Sequence, residues 1–303
     1  GGDIMFKIAD YKIESINNNL PDLVPSNIQH IGATNLWNEG YNGEGITIGV
    51  LDTGISTSHY CLKDNILKGK NFTSEGDSDN FEDLNGHGTH VSSIICARPD
   101  GEHLGIYGIA PNAKLVVGKV LNKKGNGNVE WITNGLKYMI EEKVDIINMS
   151  LGTTVYDEQL DKLIEKAIDN DILCCVASGN EGDGKSNTNE ISYPAYLNNS
   201  IAVGAISIDD KITKFSNSND EIDLVAPGYN IRGCYLNNKF ATASGTSQAC
   251  PHVSGFLALL KQRFKFKRGR NPSEMELYAE LIKHCRDLNL DFRFQGNGVI
   301  HYG

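Results

Sequence analysis

Residues 129–152 read "VEWITNGLKYMIEEKVDIINMSLG", and this stretch decides the fold. Its first half places Val129, Ile132, Leu136, Met139 and Ile140 on one face of a 3.6-residue period, which predicts an amphipathic helix. Its second half, "VDIINMS" (144–150), is short, β-rich and apolar without alternation, the pattern of a strand covered on both faces. "KLVVGKV" (114–120) ahead of the helix completes a strand–helix–strand unit. The pattern recurs in "ITIGVL" (46–51), "ILCCVAS" (172–178) and "IAVGAI" (201–206), and Leu160, Leu163, Ile164, Ala167 and Ile168 share a second helical face. The expected fold class is therefore α/β: a single three-layer domain with a mostly parallel, doubly wound sheet between helices. Ligands of such folds bind at the carboxyl ends of the strands.

Outward from this frame, "SGTSQACPHVSGFLALLKQR" (244–263) predicts a long buried helix, and Ser273 with Glu276 predicts a capping box for a last helix. Residues 75–83 carry several acids and read as an exposed loop. Residues 1–36 stand outside the alternation and read as an N-terminal extension, with 37–303 as the main domain.

A chain of 303 residues with 40% apolar and 22% charged residues fits one large soluble α/β domain. A net charge of −10 argues against a nucleic-acid or anionic-membrane surface, which needs clustered Lys and Arg. The one basic cluster, "KQRFKFKRGR" (261–270), reads as a solvated helix end. No apolar run reaches the ~18–20 residues of a membrane span, and residues 1–30 show no apolar secretory core. The seven cysteines include the adjacent Cys174 and Cys175 and no C-x-x-C pair. Buried free thiols in a reducing compartment are expected, hence a cytoplasmic location.

Three polar residues sit where elements begin or end. Asp52 follows the strand 46–51, His87 lies between two glycines in "NGHGTHVSS", and Ser247 opens the long helix. Singly they read as a turn acid, a loop histidine and an N-cap. Together they are an acid, a base and a hydroxyl in the chain order Asp…His…Ser, one of the known triad orders. A serine hydroxyl needs a base to take its proton, and an imidazole with an unperturbed pKa near ~6.5 can do so near neutral pH.

"GNEGDGKS" (179–186) also matches the phosphate-loop pattern G-x-x-x-x-G-K-[ST] behind a strand. That chemistry needs a helix directly after the lysine, whereas "NTNEISYPAY" (187–196) is polar and turn-prone, so a nucleotide site is not expected. An esterase elbow would read G-x-S-x-G in the order Ser…Asp…His; here the text is G-T-S-Q-A and the serine comes last.

"GVLDTGI" (49–55), "NGHGTHV" (85–91) and "SGTSQACPHVSG" (244–255) resemble the three signature segments of subtilisin-like serine proteases. The resemblance runs from about Trp37 to Leu260, and residues 129–152, "SGNEGDG" (178–184) and "EIDLVAPG" (221–228) are most similar to intracellular subtilisins. It implies a serine endopeptidase with Asp52, His87 and Ser247 as the triad and Asn180 as the side-chain donor to the oxyanion. It further implies that the substrate pairs with Gly125, Asn126 and Gly127 on one side and with Ser150, Leu151 and Gly152 on the other. Ser192 would form the floor of the first specificity pocket and Glu181 its rim, admitting a polar or basic residue. Pro194 would follow a cis bond.

The sequence departs from that family at three places. Gln248 stands after the serine where Met is usual. "FKIADY" (6–11) matches the short extension that lies across the active site of intracellular relatives but has no Pro. Family members commonly hold a structural calcium through an Asp after the catalytic Asp segment and a carbonyl-rich loop. Here Cys61 stands at that Asp in "SHYCLKD" (58–64), and "RPDGEHLGIYG" (98–108) offers Asp100 and Glu102. Calcium is thus left open, and the chemistry itself needs no cofactor. The expected partners are a peptide or protein substrate, the chain's own N-terminal segment as inhibitor, and a second copy in a homodimer, with no nucleic acid and no membrane.

Overall fold

A computed structural model describes residues 4–8, 12–17 and 23–303. In chain order the elements are β1 (Met5–Lys7), β2 (Lys12–Asn17), α1 (Ser26–His30), α2 (Ala33–Asn38), β3 (Thr47–Asp52), β4 (Ile66–Asn71), α3 (His87–Cys96), β5 (Lys114–Lys119), β6 (Asn126–Asn128) and α4 (Val129–Glu141). Then follow β7 (Ile146–Met149), α5 (Glu158–Ile168), β8 (Leu173–Ala177), β9 (Ser200–Ile206), β10 (Ile222–Pro227), β11 (Ile231–Tyr235), β12 (Lys239–Ser244), α6 (Thr246–Arg268), α7 (Glu274–Lys283), β13 (Cys285–Arg286), α8 (Phe292–Gln295) and β14 (Val299–Ile300). Nine strands make the central sheet in the order β13-β14-β10-β9-β8-β7-β3-β5-β4. Every neighbouring pair in it is parallel except β13 with β14.

The unbroken apolar strands are explained by two cores. Val50, Val117, Ile146 and Cys175 face one core with Val91 and Ile95 of α3 and Val253, Phe256 and Leu257 of α6. Their chain neighbours Leu51, Val116, Ile147 and Cys174 face the other, with Ile132, Leu136 and Met139 of α4 and Leu160 and Ile164 of α5. Successive strand residues point to opposite faces, so a strand between two helical layers must be apolar at every position. Each buried Leu, Ile, Val or Phe contributes about 1.5–3 kcal/mol relative to exposure. Asn128 caps α4 by accepting from Trp131 N–H, and the Ser273–Glu276 capping box is present at α7.

Several expectations change. Helix α6 runs five residues beyond 263, and the basic cluster at its end is not wholly solvated: Lys261 is buried and ion-paired with Asp145 at 2.8 Å. The segment 75–83 ends in a buried aspartate, Asp83, because that carboxylate serves the start of α3. Residues 26–36, read in the sequence with the extension, put Ile28, Ile31 and Leu36 into the α3/α6 core. Ahead of them, β2 adds to β12 and β1 pairs with β6.

Two buried histidines make the fold acid-sensitive. His252 accepts from Asn27 Nδ2 at Nε2 and donates from Nδ1 to the Gln248 carbonyl, both at 2.7 Å. Nε2 of His90 lies 3.2 and 3.1 Å from the carbonyls of Ile231 and Ala241. Burial pushes both rings down from near 6.5 to about 4. The unfolded chain therefore takes up protons below pH ~6.5 that the folded chain refuses. Stability is full above that pH and falls as pH drops toward 4, by about 2–3 kcal/mol for each ring. A urea midpoint clearly lower at pH 4.5 than at pH 7 is expected; equal midpoints would contradict it.

Candidate active site

The carboxyl ends of three adjacent strands, β3, β7 and β8, deliver the first groups. Asp52 is the last residue of β3, Ser150 follows β7, and Asn180 lies three residues beyond β8. Two helices that pack on one face of the sheet bring the others, since α3 begins with His87 and α6 carries Ser247 in its first turn.

Asp52 Oδ1 accepts from His87 Nδ1 at 2.7 Å and from the Thr53 backbone N–H at 2.7 Å, and both Asp52 and His87 are fully buried. With Nδ1 donating to a carboxylate, Nε2 is the ring nitrogen left to act as base. Ser247 Oγ donates to the Ser150 carbonyl at 3.2 Å, and Ser150 Oγ donates to the Ser247 carbonyl at 2.9 Å. This reciprocal pair seats the start of α6 on the end of β7. Asn180 Oδ1 accepts from Thr246 N–H at 2.8 Å and from Thr246 Oγ1 at 2.9 Å. Two donors fix that atom as the oxygen, so Nδ2 is the end the amide presents elsewhere. The turn before Asn180 requires glycine: Gly179 has φ +106°, and a Cβ there would lie 2.2 Å from Asn217 Nδ2.

Asp83 was not foreseen as part of the site. Oδ1 accepts from Thr53 Oγ1, Asn85 N–H and Gly86 N–H, and Oδ2 accepts from Thr89 N–H and Thr89 Oγ1, at 2.6–2.9 Å. Its carboxylate occupies the N-terminus of α3 in place of an N-cap side chain, because the residue before His87 is glycine. It ties the turn after Asp52 to the helix that carries His87. The signal was there to read: an acid four residues before a helix-opening His.

The segments expected to pair with substrate face each other across residues 6–8. Phe6 lies opposite Gly127, and Ile8 N–H donates to Gly125 O at 2.9 Å. On the other side Lys7 N–H donates to Gly152 O at 3.0 Å, and Gly152 N–H donates to Lys7 O at 2.9 Å. Residues 9–11 of "FKIADY" lie outside the described residues. Leu151, Gly152, Ala177, Glu181 and Ser192 line one pocket, to which Lys7 also contributes. A Cβ on Gly152 would fall 2.2 Å from Ser192 Oγ, so glycine keeps the pocket open at that wall. The bond before Pro194 is cis. No helix follows "GNEGDGKS"; Lys185 is exposed, with Asp183 3.8 Å away, so the phosphate-loop geometry does not form.

The positions expected to hold calcium do not suit it. Cys61 offers sulfur rather than oxygen. Asp100 already accepts from Glu102 N–H and His103 N–H and lies 3.4 Å from Lys63 Nζ. Burial opposes its ionisation, but the bonds from His103, Glu102 and Lys63 outweigh it and hold the carboxyl well below the usual range. Calcium wants six to eight oxygens, and the side chains here offer the carboxylates of Asp100 and Glu102 beside His103, with sulfur at Cys61 where the family's third carboxylate would stand.

Comparison with known proteins agrees with the geometry. A family model described as "Subtilase family" matches residues 43–298. The "Intracellular serine protease" of Paenibacillus polymyxa is 46% identical over 92% of this chain and 85% of its own length. The "Major intracellular serine protease" of Bacillus subtilis (strain 168) is 45% identical over 92% of this chain and 88% of its own length. "Subtilisin E" of the same organism is 37% identical over 78% of this chain and 61% of its own length.

Proposed function

Because the chain belongs to the subtilase family, we propose that it is a serine endopeptidase using Asp52, His87 and Ser247. The observation that carries this reading is the fully buried 2.7 Å bond between Asp52 Oδ1 and His87 Nδ1. It leaves Nε2 to take the Ser247 proton as Oγ attacks the scissile carbonyl carbon. The carbonyl oxygen, now negative, is received by Asn180 Nδ2 and the Ser247 backbone N–H. His87 then returns the proton to the leaving amine, and water repeats the sequence on the acyl-enzyme. No step needs a metal or cofactor. Asp83 is a positioning residue in this scheme.

Asn180→Ala is expected to lower kcat by about 10²–10³, the size known for subtilisin's own oxyanion asparagine, with KM little changed. Asn180→Asp separates the two jobs of the amide. It keeps the acceptor for Thr246 but loses the donor, so activity should stay low while the melting temperature recovers. Recovered activity in that variant would count against the oxyanion role.

The substrate is an extended peptide or protein segment added as a strand between residues 125–127 and 150–152. In this reading the extension 1–36 includes its own inhibitor, because residues 6–8 hold the place of such a strand with three backbone bonds beyond the β1–β6 ladder. Phe6, 1% exposed, anchors it in the core. At about 1 kcal/mol for each bond, a chain beginning at Leu20 should cleave small peptides at least about tenfold faster than the full chain. Lys7→Pro, which removes one of those donors, should move in the same direction. Unchanged rates in both would refute inhibition by this segment.

A cytoplasmic site of action and a homodimer belong to the same reading; the two most similar relatives above are named intracellular. No helix among the described residues is long and apolar enough to cross a membrane. The test is a mixed peptide library digested by the full and truncated chains, with Ser247→Ala as the blank. Cleavage after polar or basic residues is expected from Ser192 and Glu181, and the breadth of the set separates a general protease from one dedicated to a single peptide. No cleavage above the blank would refute the proposal.

A further inference from the structure

His59, Cys61 and Cys234 converge beneath the turn that follows β3. They come from positions 175 residues apart, and His59, Cys61 and Cys234 are all buried. One ring nitrogen of His59 and the two Sγ atoms lie within 4.8 Å of one another. None of the three takes part in the chemistry above. We propose that they form a binding site for a thiophilic divalent cation of the Zn²⁺ type, at the place where the sequence resemblance puts a calcium carboxylate.

The donor chemistry carries the proposal. Two thiolates and an imidazole are a zinc set and not a calcium set. Metal–sulfur bonds of ~2.3 Å and metal–nitrogen bonds of ~2.0 Å bring tetrahedral ligands to about 3.5–3.8 Å from one another. The three atoms thus need to close by no more than about 1.3 Å, within the reach of small side-chain rotations. The imidazole is in the tautomer a ligand needs. The Cys61 backbone N–H donates to His59 Nδ1 at 3.2 Å, so that nitrogen carries the lone pair, and the metal would take it over from this hydrogen bond. Nε2, at 3.1 Å from the Lys239 carbonyl, is then the N–H donor. A ring whose far N–H is held by a backbone carbonyl is the usual arrangement around a metal-bound histidine.

Aromatic side chains and a loop surround the three atoms. Tyr60 and Phe240 pack on the His59 ring with centroids 5.0 and 5.5 Å away. The loop 98–108 closes the other side, since a Cβ on Gly105 would sit 2.4 Å from Cys61 Sγ. Binding of M²⁺ releases the thiol protons and forms two metal–sulfur bonds and one metal–nitrogen bond, with one coordination position not supplied by these three residues. The bound ion would join the turn after Asp52 to β11, which pairs with the strand leading to Ser247 and donates through Cys234 N–H to Ser93 of α3.

The test uses the full chain as Ser247→Ala, reduced and stripped with a chelator, then titrated with Co²⁺ alone. One equivalent should raise a near-ultraviolet sulfur-to-cobalt charge-transfer band with the visible bands of a four-coordinate ion, and one equivalent of Zn²⁺ should bleach both. Zn²⁺ should also raise the melting temperature and shield Cys61 and Cys234, read by peptide mass, from alkylation. Cys61→Ser and Cys234→Ser should each abolish the bands, while Cys285→Ser and Asp100→Asn keep them. No thiolate band in the folded protein would overturn the proposal, as would bands that survive both cysteine variants. So would a Cys61–Cys234 disulfide that forms in air despite saturating Zn²⁺. The alkylation pattern of the unmutated cysteines decides the matter even if a variant fails to fold.

Discussion

Replacing Ser247 by alanine is expected to reduce peptide hydrolysis by about 10⁶-fold in kcat, the loss known for the same change in subtilisin. The size follows from what the hydroxyl does. Without Oγ no acyl-enzyme forms, and His87 and Asp52 have no proton to move. What remains is transition-state binding by Asn180 and the strand contacts. The fold should be nearly untouched, because Oγ donates a single bond to Ser150 O at 3.2 Å, worth about 1 kcal/mol. Single-turnover cleavage of a chromogenic peptide by the truncated chain, beside a thermal melt, measures both quantities. A residual rate within tenfold of the parent would remove Ser247 from the mechanism.

Asp52→Asn should cost about 10⁴-fold in kcat, as in other serine proteases with the triad, at nearly constant KM. The geometry gives the neutral amide no good answer. With its oxygen at the Oδ1 position it keeps the bonds from Thr53 N–H and His87 Nδ1 but brings no charge to stabilise the imidazolium. Turned over, it sets an NH₂ against Nδ1 and forces the ring into the tautomer whose Nε2 already carries a proton. In both orientations an amide group is buried where a carboxylate stood. A loss of less than tenfold would show that His87 does not depend on this carboxylate.

The parts of this molecule that could be read without coordinates are those whose physics is local. A strand between two helical layers must be apolar throughout, and Cys174 beside Cys175 is the plainest case: one faces each core. The helices α4 and α5 announce themselves by period, and α7 by its capping box. The members of the proposed triad stand out because their types, order and flanking glycines are unusual together. Strands β4, β6 and β10 to β14 are harder to read. Most are short or partly exposed, like Ile66–Asn71, and they take their pairing from neighbours distant in sequence.

Asp83 shows the same limit inside the site. Its text is an acidic loop, and only the approach of Thr53 and the start of α3 turns it into a buried acceptor of five bonds. "GNEGDGKS" shows the converse. Eight residues satisfy a phosphate-loop pattern, yet the chemistry depends on the next ten, which form no helix.

By itself, then, the sequence determined the layered α/β class, the choice of Asp52, His87 and Ser247 as the proposed acid, base and hydroxyl, and the unsuitability of residues 179–186 for phosphate, since residue type and short-range periodicity carry each of these. Only the tertiary structure decided that residues 6–8 lie between the two strand edges, that Asp83 supports His87, and that His59, Cys61 and Cys234 share one buried point. Those three facts rest on contacts between segments tens to hundreds of residues apart. The closure of such contacts is set by how the whole sheet packs rather than by any local propensity.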